Sequence, residues 1–287
     1  MSTVKVGILQ LAADLKPAKN HARALEKVRA AARRGARIIC LQELYRMRYF
    51  CQTEDHKNFR YAEGADGTSI TDFAELAREL EVVIVVPFFE RRAEGVYHNS
   101  AAVIDADGRM LGLYRKMHIP DDPNFYEKFY FSPGDLGFRV FQTRYARIGV
   151  LICWDQWYPE GARLAALQGA QMLLYPTAIG WHDLDKKQAA SQKSAWETIQ
   201  RSHAIANGVF VAASNRTGRE GKLNFWGRSF IAGPFGDILA KAGENREAVL
   251  VADCDLTQIE TVRQHWPFLR DRRIDAYKGI TTRFLNE

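Results

Sequence analysis

Residues 4–43 read VKVGILQLAADLKPAKNHARALEKVRAAARRGARIICLQE, and the fold class follows from this stretch. Residues 4–11 form an apolar run that is typical of a buried strand. Apolar residues then recur at helical spacing after Asn20, which is a plausible helix cap. Residues 37–42 are apolar and rich in β-branched side chains, and they predict a second strand that ends at Glu43. The stretch is therefore a β-α-β unit of an α/β protein.

The same alternation of helix and strand continues toward the carboxyl end. Residues 73–80 have helical spacing, and residues 82–88 form the next apolar run. Asp107-Gly108 is the strongest short hairpin signal, and it predicts antiparallel pairing between the runs at 100–105 and 110–115. The other predicted elements are strands at 147–152, 172–175, 209–214, 230–232, 238–240 and 248–252, and helices at 159–168 and 194–207. Together these elements predict a layered α/β fold with mixed sheets.

Length and composition predict a single domain that spans residues 1–287. The chain has 287 residues of which 47% are hydrophobic, enough for one large core. No Ser-, Gly- or Pro-rich linker, charge block or fixed-period repeat interrupts it. The formal net charge is +6, but Lys and Arg are spread along the sequence, which indicates solvated faces rather than a nucleic-acid partner.

The cysteines and apolar runs bear on location. The apolar run at the amino end is too short for a signal peptide, and no stretch is long enough to span a membrane. The four cysteines include no Cys-x-x-Cys pair, so neither a disulfide framework nor a zinc knuckle is indicated. A reducing cytoplasm fits this composition best.

Glu43, Lys116 and Cys153 share one feature, which is that each directly follows a predicted strand. Open α/β sheets place their sites at the carboxyl ends of strands. Taken singly, an ionisable residue there is most often a solvated loop charge, and a cysteine is most often a small buried hydrophobe. Three unlike groups in equivalent positions favour a catalytic site instead.

These three residue types suit nucleophilic catalysis. A thiol with an ordinary pKa of about 8.5 is largely protonated at neutral pH and needs a base within hydrogen-bonding reach. Glu43 could be that base, and Lys116 would oppose the negative charge that develops on a carbonyl oxygen. Cys153 precedes a predicted helix, where backbone N–H groups favour negative charge.

Three segments resemble the signature blocks of the nitrilase superfamily. They are residues 41–44 (LQEL), 114–120 (YRKMHIP) and 149–155 (GVLICWD), and the resemblance extends over essentially the whole chain. It implies a four-layer α-β-β-α sandwich that carries a catalytic triad, with Glu43, Lys116 and Cys153 at the matching positions. It also implies that the backbone N–H of Trp154 helps to hold the oxyanion.

Further expectations rest on the same resemblance. Glu127 matches a second glutamate that would orient Lys116 and the substrate nitrogen. No metal or organic cofactor is needed, and a homodimer or larger homo-oligomer is implied. The residues expected to contact substrate are Tyr49, His118, Asp121, Asp122, Asp155 and Ala178.

Longer matches resemble one subfamily, the amidases that act on N-carbamoylputrescine in polyamine biosynthesis. They include residues 118–121, 127–131, 153–157, 175–180 and 270–273. The sequence departs from that subfamily after Gly180, where residues 181–185 (WHDLD) replace an expected Ser-Glu. Enzymes that act on N-carbamoyl-β-alanine are expected to have an arginine after the His-Ile-Pro turn, whereas this chain has Asp121 and Asp122, which favours an ammonium over a carboxylate.

Other functions remain open from the sequence. Within the superfamily the alternatives are N-carbamoyl-β-alanine amidohydrolase and ω-amidase. A papain-like site would pair Cys153 with His98, His118 or His203, although no such local signature surrounds the cysteine. A zinc hydrolase lacks histidines at ligand spacing. A catalytically inert binding protein on the same fold is the non-enzymatic alternative.

Overall fold

The β-α-β unit predicted at the amino end is present in the computed structural model, which describes residues 2–182 and 187–285. The strands are β1 Thr3–Gln10, β2 Ile38–Cys40, β3 Val83–Ala93, β4 Val96–Ile104, β5 Met110–Arg115, β6 Asp121–Asp122, β7 Phe125–Tyr126, β8 Val140–Gln142, β9 Arg147–Val150, β10 Met172–Thr177, β11 Gly180–His182, β12 Phe210–Asn215, β13 Thr217–Glu220, β14 Leu223–Trp226, β15 Phe230–Ala232, β16 Ile238–Lys241 and β17 Ala248–Asp255. The α-helices are α1 Pro17–Arg33, α2 Thr68–Leu80, α3 Pro159–Leu167, α4 Ala189–Asn207 and α5 Thr257–His265. Short 3-10 helices cover Phe50–Gln52, His56–Tyr61, Glu127–Phe129, Cys153–Trp157, Ile274–Ala276 and Lys278–Thr281.

Two six-stranded sheets form the centre of the molecule. The first has the order β17-β1-β2-β3-β4-β5, and the second has the order β16-β15-β12-β10-β9-β8. In the first sheet β1, β2 and β3 are parallel and the other neighbours antiparallel. In the second, β9, β10 and β12 are parallel. Both sheets are therefore mixed, as the sequence predicts.

The layers follow from the alternation of side chains along each strand. In β3, Val83 and Val85 belong to the core between the two sheets, whereas Ile84 and Val86 pack under α1 and α2. On the far side, α3 and α4 pack on the second sheet, against β9 and β12. The order helix, sheet, sheet, helix confirms the expected four-layer α-β-β-α sandwich.

Some local predictions were wrong or incomplete. Asn20 does not cap α1, because the helix begins earlier, with Pro17 in its first turn and Lys16 as its N-cap. The buried Asn20 amide instead bonds the backbone of Asp14 and the carbonyl of Arg46. The Asp107-Gly108 hairpin is confirmed, and Gly108 adopts a φ of 85° there. Strands β6, β7, β8, β11, β13 and β14 and helix α5 were not predicted, because they are short and have weak periodicity.

Candidate active site

The catalytic candidates lie just beyond the ends of strands in both sheets. Glu43 follows β2 and Lys116 follows β5 in the first sheet, and Cys153 follows β9 in the second. Glu43 and Lys116 have no exposed surface, and 6% of Cys153 is exposed. Since the two sheets pack face to face, these strand ends bring the three side chains into one buried centre.

Lys116 connects two carboxylates at this centre. Its Nζ donates to Oε1 of Glu43 at 2.8 Å and to Oε2 of Glu127 at 2.7 Å. The Tyr49 hydroxyl donates to the other oxygen of Glu127 at 2.7 Å, and Asn99 Nδ2 donates to Oε1 of Glu43 at 2.7 Å. The structure therefore places Glu127 and Tyr49 together with the triad. Sequence reasoning missed Asn99, which lies in the polar stretch His98–Ser100 of β4, just before the predicted apolar run.

The second oxygen of Glu43 has a different environment. Oε2 is buried and has no hydrogen-bond partner among the described residues. A buried carboxylate oxygen without a donor is costly, so such an atom calls for a functional explanation. Glu43 thus presents one oxygen that is fixed by Lys116 and Asn99 and one that is free to accept a proton.

Charge and burial shift the pKa values of this centre. Burial alone lowers the pKa of Lys116, but the charges of Glu127 and Glu43 outweigh it and hold that pKa well above its usual range. Burial also raises the pKa of Glu127, an effect that Lys116 opposes. The pKa of the Cys153 thiol is raised well above its ordinary value by burial and then by Glu43, while Lys116 acts against the rise. The resting centre therefore holds Lys116 as an ammonium and Cys153 as a neutral thiol.

Cys153 occupies a strained turn. Its φ is 44°, in the left-handed region that non-glycine residues rarely adopt. A five-residue 3-10 helix, which was not predicted, begins at the cysteine, and α3 starts at Pro159, as predicted. The Ala178 backbone hydrogen-bonds the sulfur and partly offsets the rise of its pKa.

Asp155 braces this turn and also reaches the loop that carries the lysine. Its carboxylate accepts from the N–H of Ile152 at 2.9 Å and from the Tyr114 hydroxyl at 2.7 Å. It also accepts from the backbone N–H of His118 at 3.0 Å, and His118 Nδ1 lies 2.8 Å away. Asp155 thus ties the residue before the nucleophile to residues on both sides of Lys116.

A cavity of ≈ 490 Å³ opens onto the thiol. Cys153, Trp154 and Glu127 line it at the catalytic end. The rest of its wall is mainly apolar and aromatic, with the polar side chains of Asp122, His182 and Gln192; the other lining residues are Pro120, Pro123, Phe125, Trp157, Ala178, Ile179, Gly180, Ala195 and Trp226. This volume and lining suit a small, largely apolar molecule with a polar end.

The residues expected to contact substrate fall into two groups. Asp122 and Ala178 lie on the cavity wall. Among the described residues that form the wall, Tyr49, His118, Asp121 and Asp155 do not occur.

These four residues have other positions. The buried Tyr49 bonds Glu127, and the His118 ring stacks on Tyr158 with centroids 3.6 Å apart. Asp121 is exposed, and Asp155 is fully buried beneath the site. Contact of Tyr49, His118 and Asp155 with substrate stays a prediction, since Glu43 and Lys116 are also absent from the described wall.

The structure describes two of the residues after Gly180 at which the sequence departs from the subfamily. Trp181 and His182 belong to β11, which pairs with β14, and His182 contributes to the cavity wall. Asp183, Leu184 and Asp185 lie outside the described residues.

The rival catalytic histidines have other partners. His98 Nδ1 bonds the carbonyl of Ser132, His118 bonds Asp155, and His203 Nε2 bonds the carbonyl of Gln156. In residues 2–182 and 187–285, no group of three or more His, Cys, Asp or Glu could hold a metal ion. The same ranges contain no helix that is long and apolar enough to cross a membrane.

The remaining cysteines are all buried. Burial raises the pKa of Cys254 to about 12, and burial also raises the pKa of Cys40. Cys51 lies close enough to the centre for Glu127 to raise its pKa further and for Lys116 to oppose that rise. Among these thiols, Cys153 is the one that lines the cavity.

Comparison with known proteins finds relatives over nearly the whole chain. The model of the carbon–nitrogen hydrolase family matches residues 5–264. The chain is 50% identical to the N-carbamoylputrescine amidase of Solanum tuberosum, covering 97% of this chain and 95% of the relative. It is 41% identical to a citrullinase of Francisella tularensis, covering 99% of this chain and all of the relative (100%). A crystal structure of a carbon–nitrogen hydrolase from Helicobacter pylori G27 superposes with a TM-score of 0.95 at 45% identity, covering 99% of this chain and 100% of that one.

Proposed function

This chain belongs to the carbon–nitrogen hydrolase family, and from that premise we propose that it hydrolyses N-carbamoylputrescine to putrescine, carbon dioxide and ammonia. The reaction class is that of the family, a hydrolase that acts on amide carbon–nitrogen bonds. The observation that carries the proposal is the unpartnered Oε2 of Glu43 in a buried centre with Lys116 and Cys153, at the end of a cavity that has a carboxylate farther along its wall.

The first half of the reaction forms a covalent intermediate. Glu43 Oε2 takes the thiol proton as Cys153 Sγ attacks the ureido carbonyl carbon. Lys116 and the backbone N–H of Trp154 hold the resulting oxyanion. The tetrahedral intermediate collapses to an S-acyl enzyme as Glu43 returns the proton to the leaving nitrogen.

The second half reverses these roles. Glu43 takes a proton from water, the resulting hydroxide attacks the S-acyl carbon, and the thiol leaves with the proton from Glu43. The product of this step is a carbamic acid, which keeps the second nitrogen and breaks down to carbon dioxide and the second amine or ammonia. Net, one water is consumed and one putrescine, one ammonia and one carbon dioxide are released.

The charge of the buried centre explains why the base must be adjacent. Glu43, Glu127 and Lys116 form an ion-paired cluster that is closed to solvent. A thiolate formed by losing its proton to bulk water would add a negative charge to this cluster. Transfer to Glu43 moves the charge without changing the total, so it avoids the cost of burying an extra ion.

The cavity wall favours a substrate with a cationic tail. Asp122 pairs with Phe125 across the β6–β7 hairpin, and both line the cavity. A carboxylate favours the ammonium of N-carbamoylputrescine, and Trp154 and Trp157 offer aromatic faces to a cation. N-carbamoyl-β-alanine would bring a carboxylate toward the same wall.

Citrulline is the second candidate substrate, because a relative with 41% identity is a citrullinase. Citrulline is N-carbamoylputrescine with one additional carboxylate beside the ammonium. His182 on the wall is the side chain that a substrate carboxylate could approach. The two candidate substrates therefore differ only in this carboxylate, and the side chains that would face it decide between them.

A substrate panel tests the proposal. Ammonia release would be measured with N-carbamoylputrescine, citrulline, N-carbamoyl-β-alanine and an ω-amide, and kcat/KM compared. We expect N-carbamoylputrescine to be preferred and Asp122→Asn to lower its kcat/KM about tenfold, which is roughly 1.4 kcal/mol. Asp121→Asn is the matched control, because Asp121 is adjacent but lies off the wall. Preference for another compound, or equal effects of the two variants, would contradict the assignment.

We also propose that the protein assembles as a homodimer or larger homo-oligomer and works in the cytoplasm on a small molecule, in polyamine biosynthesis. Three aromatic side chains, Phe235, Trp266 and Phe268, are 46%, 52% and 42% exposed. Their rings contact one another in sequence, with centroids 5.4 and 6.1 Å apart. A contiguous exposed aromatic cluster of this kind supports contact with a second copy.

A further inference from the structure

A buried ion pair contacts the loop at residues 43–49, which begins with Glu43. Neither residue of the pair lines the substrate cavity. Arg216 directly follows β12 and has no exposed surface, and Glu220 ends β13. Arg216 Nη1 lies 3.0 Å from each carboxylate oxygen of Glu220. A buried ion pair is weak evidence of a contribution to stability, because desolvation offsets the attraction. The other hydrogen-bond partners of Arg216 and Glu220 therefore indicate the role of the pair.

Those partners belong to the loop at residues 43–49. Arg216 Nη2 donates to the carbonyls of Glu43 at 2.9 Å and Leu44 at 2.8 Å, and Nη1 reaches the carbonyl of Met47 at 3.3 Å. Glu220 Oε2 accepts from the N–H of Tyr49 at 2.7 Å. The pair thus bonds the loop at both ends.

The loop needs such support because it has few regular bonds of its own. Leu44 has a φ of 47°, a left-handed conformation that a leucine holds only when its surroundings impose it. The guanidinium of Arg216 also lies 5.9 Å from the centroid of the Tyr49 ring. The planar guanidinium bonds three carbonyls and the Glu220 carboxylate together, whereas a lysine has only three N–H donors on one atom.

Both ends of the loop lead to catalytic carboxylates. Glu43 is at its start, and Tyr49 at its end donates to Glu127. We propose that Arg216 and Glu220 are a positioning pair, which holds Oε2 of Glu43 toward the thiol and, through Tyr49, holds Glu127 against Lys116. The inference rests on the proposed role of Glu43 as base.

The neighbouring residue offers a contrast on the same strand end. Asn215 Oδ1 accepts from the N–H of Ile179 at 3.0 Å, and its Nδ2 donates to the carbonyl of Ile179. Ile179 lines the cavity. Asn215 therefore supports the substrate wall, whereas Arg216 supports the base. Altering Asn215 should change KM, and altering Arg216 should change kcat.

The test uses Arg216→Lys and Glu220→Asp, which keep both charges but shorten or reduce the contacts. We expect kcat to fall about 10- to 100-fold with little change in KM, because small displacements of a base are costly. Alkylation of Cys153 by iodoacetamide should slow and shift to higher pH, as for Glu43→Gln. Arg228→Lys is the control, since Arg228 pairs with Glu197 and Glu244 in partly buried ion pairs away from the loop.

A double-mutant cycle separates positioning from general damage. In the Glu43→Gln background, Arg216→Lys should cause a much smaller loss of kcat than it does in the wild type, because there is no base left to misplace and only the effect through Tyr49 and Glu127 remains. If the losses multiply, or if both folded variants retain the wild-type kcat and alkylation profile, the positioning inference is wrong. Should Arg216→Lys fail to fold, Glu220→Asp gives the same comparison. A wild-type profile for Glu43→Gln itself would instead refute the base assignment.

Discussion

At the scale of single residues, the proposed base Glu43 has two carboxylate oxygens in different environments. One oxygen accepts from Lys116 and Asn99, and the other is buried without a donor. The bonded oxygen fixes the direction of the carboxylate. The unpartnered oxygen is the one that takes the thiol proton in the proposed mechanism. This division explains how a carboxylate that is paired with a lysine can still act as a base.

Glu43→Gln tests the separate roles of the two oxygens. The glutamine oxygen can keep the bonds from Lys116 and Asn99, while an NH2 group replaces the unpartnered oxygen. The pKa of the Cys153 thiol is raised well above its ordinary value by burial, so at neutral pH the thiol stays protonated unless a base takes its proton. We expect the variant to alkylate slowly at neutral pH, with a rate that rises as pH rises toward the thiol pKa. The measurement is the rate of iodoacetamide labelling against pH, assigned to Cys153 by peptide mass.

Cys153→Ala is the control for the site of labelling and should show no adduct in the same peptide. An unchanged pH profile in Glu43→Gln would mean that another group accepts the proton.

At the scale of elements, strand ends supply both the reactive groups and their supports. Asp155 follows β9 by a few residues and links its end to the loop after β5, through Ile152, Tyr114 and His118. The two strands belong to different sheets. This single carboxylate therefore sets the position of the nucleophile relative to the lysine.

Asp155→Asn should weaken both the fold and the reaction. The amide turns one acceptor oxygen into a donor that faces other donors, so at least one buried group loses its partner. We expect the free energy of unfolding to fall by about 1–3 kcal/mol in urea titrations, and kcat to fall more than KM changes.

The control for this variant is Asp253→Asn, which removes an exposed pair with Lys5. It should stay within about 0.5 kcal/mol of wild type. If Asp155→Asn lowered the free energy of unfolding by as little as the control, the carboxylate would not stabilise the site.

Strands that are apolar along their length could be predicted from the sequence. Buried polar residues that hold the site together could not. β10 and the first part of β3 are continuous apolar runs and were predicted, although β3 continues to Ala93, beyond the predicted end at residue 88. Glu43, Lys116 and Cys153 could likewise be placed at the ends of predicted strands. Asn99 and Arg216 could not be found, because each is a buried polar residue whose partners are distant in sequence. The β11–β14–β13 sheet was missed because its strands are three or four residues long.

At the scale of the whole molecule, the carboxyl-terminal region leaves apolar surface uncovered. Ile274, Ile280 and Phe284 are exposed, in addition to the Phe235, Trp266 and Phe268 cluster. Monomers rarely expose contiguous apolar surface of this kind. A second copy of the chain would cover it without any change in the sandwich.

Sedimentation velocity tests this assembly. We expect the wild type to sediment as a dimer or larger species, and the double variant Trp266→Ser, Phe268→Ser to shift toward monomer. Leu15→Ser is the control, because Leu15 is 76% exposed but lies in the amino-terminal half, before α1. A monomeric wild type, or a variant with unchanged sedimentation, would contradict self-association through this cluster.

The left-handed backbone of Cys153 also bears on how this position can change in evolution. A φ of 44° suits glycine or asparagine and costs other residues of order 1–3 kcal/mol. Cys153→Gly should therefore unfold with a higher free energy than Cys153→Ala, although both are inactive, and denaturation curves of the two would measure the difference. Selection for turnover thus keeps a residue that the backbone disfavours. In a descendant released from catalysis this requirement would be lifted, and a glycine would relieve the backbone strain while giving up the packing of a buried side chain.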